Sequence, residues 1–507
     1  MKIKFDVTPK ELVIVRDILA KYLQEDCTVW IFGSRAKSRS LVGSDLDLAI
    51  ECDAKIELKL LTALKIAFED SRLPYRVDVV DMKAVKPYFK EIIDKERVLF
   101  PLNHLNKVPV LRFPEFSGEW EVKKLGEVSE NVMYGLNSSA INFDGENQYL
   151  RITDIDEGSR RFKPNPLTTP SGDLDDKFKL KEGDIVFTRT GASVGKSYLY
   201  TPKDGKLYFA GFLIKFTIKL NNPYFIFSQS LRSYYDNWVH VMSVRSGQPG
   251  INAEEYKILN ISLTSIKEQQ KIADFLTQID SKIEQLSKKK QLLERYKKGL
   301  MQKVFSQELR FKDDNGNAYP DWEVKRLGDV TKIYDGTHMT PDYKKEGIPF
   351  YSVEHLTSNN FFNTKFISKE VFEKENKRVK LEKGDILMTK IGDIGTSKYI
   401  NWDVNASFYV SLALIKKTEI NNTLFINQYI KSSLFQKELH KRIIHVAFPK
   451  KINLGEISHC LINFPCLEEQ TKIANFLTEL DQKINLVEKQ LNGTKDYKKG
   501  LLQKMFV

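Results

Sequence analysis

The chain carries one stretch twice. Residues 268–306, EQQKIADFLTQIDSKIEQLSKKKQLLERYKKGLMQKVFS, return as residues 469–507, EQTKIANFLTELDQKINLVEKQLNGTKDYKKGLLQKMFV. The copies align without a gap, 474 − 273 = 201 and 500 − 299 = 201, and about half of the aligned positions are identical. Each spaces its apolar residues by threes and fours, as a coiled-coil seam does. The first seam reads Ile272, Leu276, Ile279, Ile283, Leu286, Leu293, Leu300 and Val304; the second reads Ile473, Leu477, Leu480, Ile484, Val487, Leu491, Leu501 and Met505. No proline interrupts either copy. A helix of this length spans roughly 57 Å at 1.5 Å per residue, too far for one small domain to cover. The expectation is that each seam buries the other.

With 507 residues, the chain has room for three or more domains. Its net charge of +12 is uneven: residues 1–107 hold 19 Lys and Arg against 17 Asp and Glu, so about +10 lies in the repeated part. That asymmetry favours a polyanionic partner. Cys27, Cys52, Cys460 and Cys466 form no CxxC pair or zinc-ligand array, and read as buried or incidental thiols in a reducing compartment. No apolar run suits a bilayer and the N-terminus lacks a signal-peptide core, so the expectation is a cytoplasmic protein with no membrane partner.

In the first hundred residues, Thr8-Pro9 caps a helical pattern, ELVIVRDILAKYL. A strand CTVWIFGSRA, a polar loop KSRSLVGS and a strand DLDLAI follow. Asp45 and Asp47 alternate with Leu46 and Leu48, so both acids leave one face, and a third strand, YRVDVVD, offers Asp78 on the same pattern. Three carboxylates on one face suit Mg²⁺, and Gly33-Ser34 lets the backbone approach a phosphate. The string GSRAKSRSLVGSDLDL resembles the signature of the DNA polymerase beta nucleotidyltransferase superfamily, and the ending EIIDKERVLF resembles its minimal antitoxin members, which adenylylate a partner toxin. The resemblance implies triphosphate contacts at Gly33 and Ser34, metal ligands at Asp45, Asp47 and Asp78, and help from Asp78 in activating the nucleophile. Mg²⁺ and a nucleoside triphosphate, ATP above all, would be the cofactors, and the acceptor is open.

The repeat extends beyond the helices. FSGEWEVKKLGEV returns as YPDWEVKRLGDV, KEGDIVFTRTG as EKGDILMTKIG, and NNPYFIFSQSL as NNTLFINQYI. Each unit is therefore a mixed domain of strands bounded by Gly-Asp turns, followed by a long helix. The expected boundaries are 1–106, 107–267, 268–308, 309–467 and 468–507. Between the landmarks the units differ freely, which suggests two similar tasks on two different targets. TGASVGKS is not a P-loop, because Thr190 stands where the first glycine belongs. NNPYF lacks a proline of the amino-methyltransferase motif, and no glycine-rich S-adenosylmethionine loop follows a strand.

Cationic and polar residues in Gly-bounded loops are the candidate DNA contacts: Arg189, Lys196, Arg245, Ser246 and Gln248 in the first unit, and Thr337, His338, Lys390, Lys450 and Lys451 in the second. Tyr134 and Tyr334 either line a groove or belong to the core. The VPVLRFPEFSGEWEVKKLGEV segment, the KEGDI turn and the paired EQxKIAxFL helices resemble the specificity subunit of Type I restriction-modification systems over about residues 107–507. That resemblance implies an α+β multidomain chain: a small α/β nucleotidyltransferase domain, then two mixed α/β target recognition domains separated by two long helices in an antiparallel coiled coil. It also implies double-stranded DNA, two methyltransferase subunits and nuclease-translocase restriction subunits as partners, with the chemistry on DNA belonging to those partners. Two other arrangements stay open: a nucleotidyltransferase delivered by a DNA-binding C-terminal region, and a coiled-coil adaptor that does not bind DNA.

Overall fold

The structure, a computed structural model, describes residues 5–507 except 24–26, 38–42, 53–54, 101–107 and 245–246. The chain divides into two compact units, Met1–Lys282 with Thr494–Val507, and Ile283–Gly493. The cut passes through both long helices.

The first unit begins with α1, Pro9–Tyr22, where Thr8 and Glu11 form a reciprocal capping box. Strands β1 (Thr28–Phe32), β2 (Leu46–Glu51), β3 (Val77–Asp81) and β4 (Val98–Leu99) form one sheet in the order β3-β2-β1-β4. Period-two alternation on β2 sends Leu46, Leu48 and Ile50 into the core with α1 and α3 (Leu58–Glu69). Ala49 faces the other way, with Phe32, Met82 and Ile93 of α4 (Pro87–Glu96). Two of the cysteines correct the expectation of free thiols: Cys27 and Cys52 are joined by a disulfide. Antiparallel pairing sets Thr28 opposite Glu51, which brings the next residue out on each strand face to face. Spacing along the chain does not reveal that pairing. Cys460 and Cys466 are free.

The rest of each unit contains one copy of the repeated mixed domain, and the two share one plan. In the first, Ser197–Leu199, Asp184–Thr188, Leu213–Ile218 and Ser129–Tyr134 lie side by side in a four-stranded sheet. In the second, Asp393–Tyr399, Ile386–Ile391, Leu412–Ile415 and Ile333–Asp335 repeat that order. The repeated Gly-Asp turn has a local cause. Gly183 and Gly384 have φ of +94° and +99°, which only glycine adopts without strain. Asp184 and Asp385 then accept from the backbone N–H three residues earlier, at 2.8 Å in each domain. Lys215 and Lys416 face these buried carboxylates.

The central helix, Ile266–Phe305, and the C-terminal helix, Leu467–Lys504, run antiparallel. In the first unit Lys498 Nζ meets both oxygens of Asp280 at 2.7 and 2.8 Å, and in the second Lys297 Nζ meets Asp481 at 2.6 Å. These pairs are related by the same 201-residue offset as the repeat, since 498 − 297 and 481 − 280 are both 201. The seams bury each other only in part. Ile283, Leu286, Leu293, Val487 and Leu491 form a cluster of helix residues alone. Toward its ends each helix enters a domain core: Val304 and Phe305 join Trp322, Phe425 and Tyr429, while Leu501 and Phe506 join Trp120 and Phe225. The domains therefore cover more of the rods than the sequence pattern implies.

The repeated Glu-Gln at the start of each rod is a docking point. Buried Glu268 takes a forked ion pair from Arg112 at 2.7 Å, and buried Glu469 takes one from Arg310 and a 2.8 Å bond from Trp322 Nε1. Glu469→Ala should destabilise the second unit by about 3 kcal/mol, because it leaves a guanidinium and an indole N–H without their acceptor. Thermal denaturation of the full chain should show one component shifted down, with Glu469→Gln losing less.

Candidate functional site

The three acids and the Gly-Ser of the N-terminal part gather where β1 ends and β2 and β3 begin. Phe32 pairs with Asp47 across the antiparallel β1–β2 ladder, and Asp47 pairs with Asp78 across the parallel β2–β3 ladder. The parallel register places both carboxylates on one face, and Asp45, two residues before Asp47, shares it. Asp81, three residues after Asp78, is buried and bonds the backbone N–H groups of Ile56 and Lys83, so the second acid of YRVDVVD is structural. Gly33 follows β1 with φ +74°, and a Cβ there would lie 2.2 Å from Asp47 Oδ2. Any side chain at position 33 would collide with the carboxylate, so Gly33 is the floor of the acid cluster.

The electrostatics follow from this crowding. Asp47 is half-buried, and burial, then the charges of Asp78 and Asp45, push its carboxyl up to about 6. A divalent cation would relieve that field, and hard carboxylate oxygens are the ligands it prefers. Among the described residues no group of three or more acids, histidines or cysteines is already drawn together as a metal cage. The donor chemistry and the glycine floor fit Mg²⁺.

Arg35 was not singled out in the sequence. It is buried, donates to Ser44 O at 2.9 and 2.8 Å and to Asp6 O at 2.6 Å, and stacks over Tyr75 at 3.6 Å. It thus anchors the loop immediately before Asp45. Its place two residues after Gly33, inside the motif itself, was the available signal.

On the two repeated domains the candidate DNA contacts separate by burial. Arg189 is half-buried and stands 4.9 Å over the Tyr134 ring. Both line a cleft of about 620 Å³ with Arg151 and the exposed Phe212, so Tyr134 belongs to a groove wall. Tyr334 packs against the core cluster of the second domain. Gln248 is exposed beside Gly191. Lys196 is ion-paired with Glu157 at 2.6 Å and largely covered. Arg245 and Ser246 lie outside the described residues. In the second domain Lys450 and Lys451 are exposed. His338 is exposed and bonds Asp335 at 2.8 Å. Burial alone would raise the Asp335 carboxyl, but hydrogen bonds from Arg378 and the neighbouring His338 hold it below the usual range. Thr337 and Lys390 are both buried, 4% and 7% exposed, so they lie beneath the surface a base edge could reach. Burial lowers the Lys390 ammonium; Asp335 opposes this and Lys451 adds to it.

Comparison with known families identifies the larger part of the chain. The model of the Type I restriction modification DNA specificity domain matches residues 117–295 and again 319–494, more than half of the chain. The chain belongs to the Type I restriction-modification DNA specificity family. Residues 15–104 of this specificity chain match the polymerase beta nucleotidyltransferase family. The Type I restriction enzyme MjaVIII specificity subunit of Methanocaldococcus jannaschii is 24% identical over 412 residues, covering 77% of this chain and 92% of that one. The probable protein adenylyltransferase MntA of Haemophilus influenzae is 43% identical over 96 residues, covering 19% of this chain and 83% of that one. The N-terminal part of the specificity chain is therefore a nucleotidyltransferase-family domain. The crystal structure of the Type I restriction-modification system S subunit from M. genitalium superposes with a TM-score of 0.53 at 17% identity, covering 79% of this chain and 99% of that one, so the two share a fold. Among the described residues no helix is long and apolar enough to cross a membrane.

Proposed function

We propose that the chain is the DNA specificity subunit of a Type I restriction-modification complex, each recognition domain reading one half of a bipartite site. The observation that carries the reading is the duplication itself: two domains with one strand order and one set of anchoring residues, differing in the loops beside Arg189 and Lys390. A scaffold kept twice with changed loops is what two-part sequence recognition needs, because phosphate contacts position a protein while base contacts specify. Arg189, Gln248, His338, Lys450 and Lys451 are the surface residues offered to DNA; Arg245 and Ser246 belong to the same proposal. Methyltransferase and restriction subunits are the proposed partners, docked along the paired helices, and the cytoplasm is the proposed location. The domain limits 1–106, 107–267, 268–308, 309–467 and 468–507 define the parts.

The N-terminal domain adds a Mg²⁺-dependent nucleotidyl transfer from a nucleoside triphosphate, ATP first, to an acceptor. Asp45, Asp47 and Asp78 would hold the metal, which when bound would supply charge neutralisation to the triphosphate. Gly33 keeps the floor open for the phosphates and Ser34 contacts them. Asp78, the most exposed of the paired strand acids, takes the proton of the attacking group. Arg35 fixes the approach of Asp45.

The test is methylation mapping of DNA from a host expressing this chain with its methyltransferase subunit. A two-part site with an unread gap is expected, and exchange of residues 110–267 for another recognition domain should alter one half only. A change in both halves, or binding to duplex DNA that ignores salt, would remove the proposal.

A further inference from the structure

In each recognition domain a loop is clamped against the turn that ends the central strand. In the first, Gly191 N donates to Pro249 O at 3.0 Å and Ile251 N to Arg189 O at 2.9 Å. In the second, Gly392 N donates to Lys450 O at 2.8 Å and Ile452 N to Lys390 O at 3.0 Å. Every partner is displaced by the same offset, for example 392 − 191 = 201 and 450 − 249 = 201, so the two loops occupy one structural place. Their described tips differ. The first presents Gln248 beside Gly191. The second projects Val446 and Phe448, which are 97% and 103% exposed, above exposed His445, Lys450 and Lys451. Its base is firm, since Ile444 N also bonds Lys451 O at 2.9 Å.

A large apolar tip left wholly in water on a rigid cationic base has a natural counterpart in a DNA groove. Bases offer apolar surface there, such as the thymine methyl, between two rows of phosphate. We propose that Phe448, supported by Val446, is a specificity-determining contact of the second domain, lying against apolar base surface while Lys450 and Lys451 hold the flanking phosphates. Gln248, in the matching loop of the first domain one place beyond the counterpart of Phe448, reads by hydrogen bonds, so the two half-sites are read by different chemistry. This rests on the DNA-reading role proposed above.

The test uses the full chain with its methyltransferase subunit. The probes are a duplex bearing the mapped site, the same duplex changed one base pair at a time, and a random duplex of equal length. Phe448→Ala should weaken binding to the site about five- to fiftyfold, flatten discrimination at one or more base pairs of a single half-site, and leave random-duplex binding and the salt slope unchanged. Phe448→Leu should recover part of the loss. Lys450→Ala with Lys451→Ala should instead weaken both duplexes and lower the salt slope by up to about two. Because the Phe448 side chain is exposed, melting of the variant should match the parent, which separates loss of contact from loss of fold. Unchanged discrimination at every position, or an equal loss on site and random duplex, would overturn the proposal while leaving the DNA-reading role intact. A parent complex without salt-dependent binding would instead end the DNA-reading role itself.

Discussion

Asp47→Asn is expected to lower nucleotidyl transfer from ATP and Mg²⁺ at least a hundredfold, with the fold of the N-terminal domain retained. The residue is the most constrained of the three acids: it pairs in register with Phe32 on one side and Asp78 on the other, and Gly33 packs against its carboxylate. Asparagine keeps the shape and loses the charge that a metal needs. Gly33→Ala should reach the same loss by a steric route, because its Cβ would sit 2.2 Å from Asp47 Oδ2 in a backbone with φ +74°. That backbone alone costs a non-glycine residue about 1–2 kcal/mol. The pH dependence has a definite sign. The Asp47 carboxyl is raised to about 6 in the folded chain, above the roughly 3.9 of an unfolded chain. Its stabilising protonation is therefore complete below pH about 4 and lost as the pH rises through about 6. The metal-free domain should melt higher at pH 5 than at pH 7.5, Mg²⁺ should narrow that difference by stabilising the pH 7.5 sample, and Asp47→Asn should abolish it. Transfer of label from ATP by Asp47→Asn at the parental rate would sink this assignment.

Inserting one heptad into both long helices, at matching places in the 283–293 and 484–494 stretches, is expected to abolish methylation of the original site and create a new one. Seven residues add about 10.5 Å of helix, close to three base pairs of duplex. Neither half-site should change, because the reading loops are untouched, and the unread gap should lengthen by about three base pairs. Both insertions are needed, since the antiparallel ion pairs Lys297–Asp481 and Lys290–Glu488 hold one rod in register with the other. An insertion in one helix alone would bring Lys297 level with a different turn and leave buried charge unpaired, so it should unfold rather than lengthen. Methylome sequencing reads the outcome; an unaltered gap in a folded double insertion would refute the spacer role.

Much of this architecture is local and therefore legible along the chain. Three-and-four spacing announces the rods, Gly-Asp marks the turns that only a positive φ allows, and alternation on Asp45-Leu46-Asp47-Leu48 places two acids on one face. A second, shorter repeat, offset by 309 − 111 = 198 residues, carries a signal that the seam pattern hides. Leu-Arg-Phe at 111–113 and 309–311 docks each domain's lead segment on its rod, Phe113 against Phe275 and Phe311 against Phe476 at 5.7 and 5.4 Å. A short motif at a slightly different offset is easily lost beside a 39-residue repeat.

What depends on contacts between distant residues lies beyond any window of sequence. Strand register decided that Asp78 faces Asp47 while Asp81 turns to the loops, and the neighbouring β1–β2 ladder brought Cys27 to Cys52. Burial decided which candidate readers are available: Thr337 and Lys390 sink beneath a strand end, Lys196 is taken by Glu157, and Phe448, an apolar residue that composition alone would send inside, stands in water. Residue type and periodicity are properties of neighbours along the chain, so the sequence by itself determined the parts and the chemistry each can carry. Exposure and pairing are properties of neighbours in space, and only the folded packing settled which of those groups can meet a ligand.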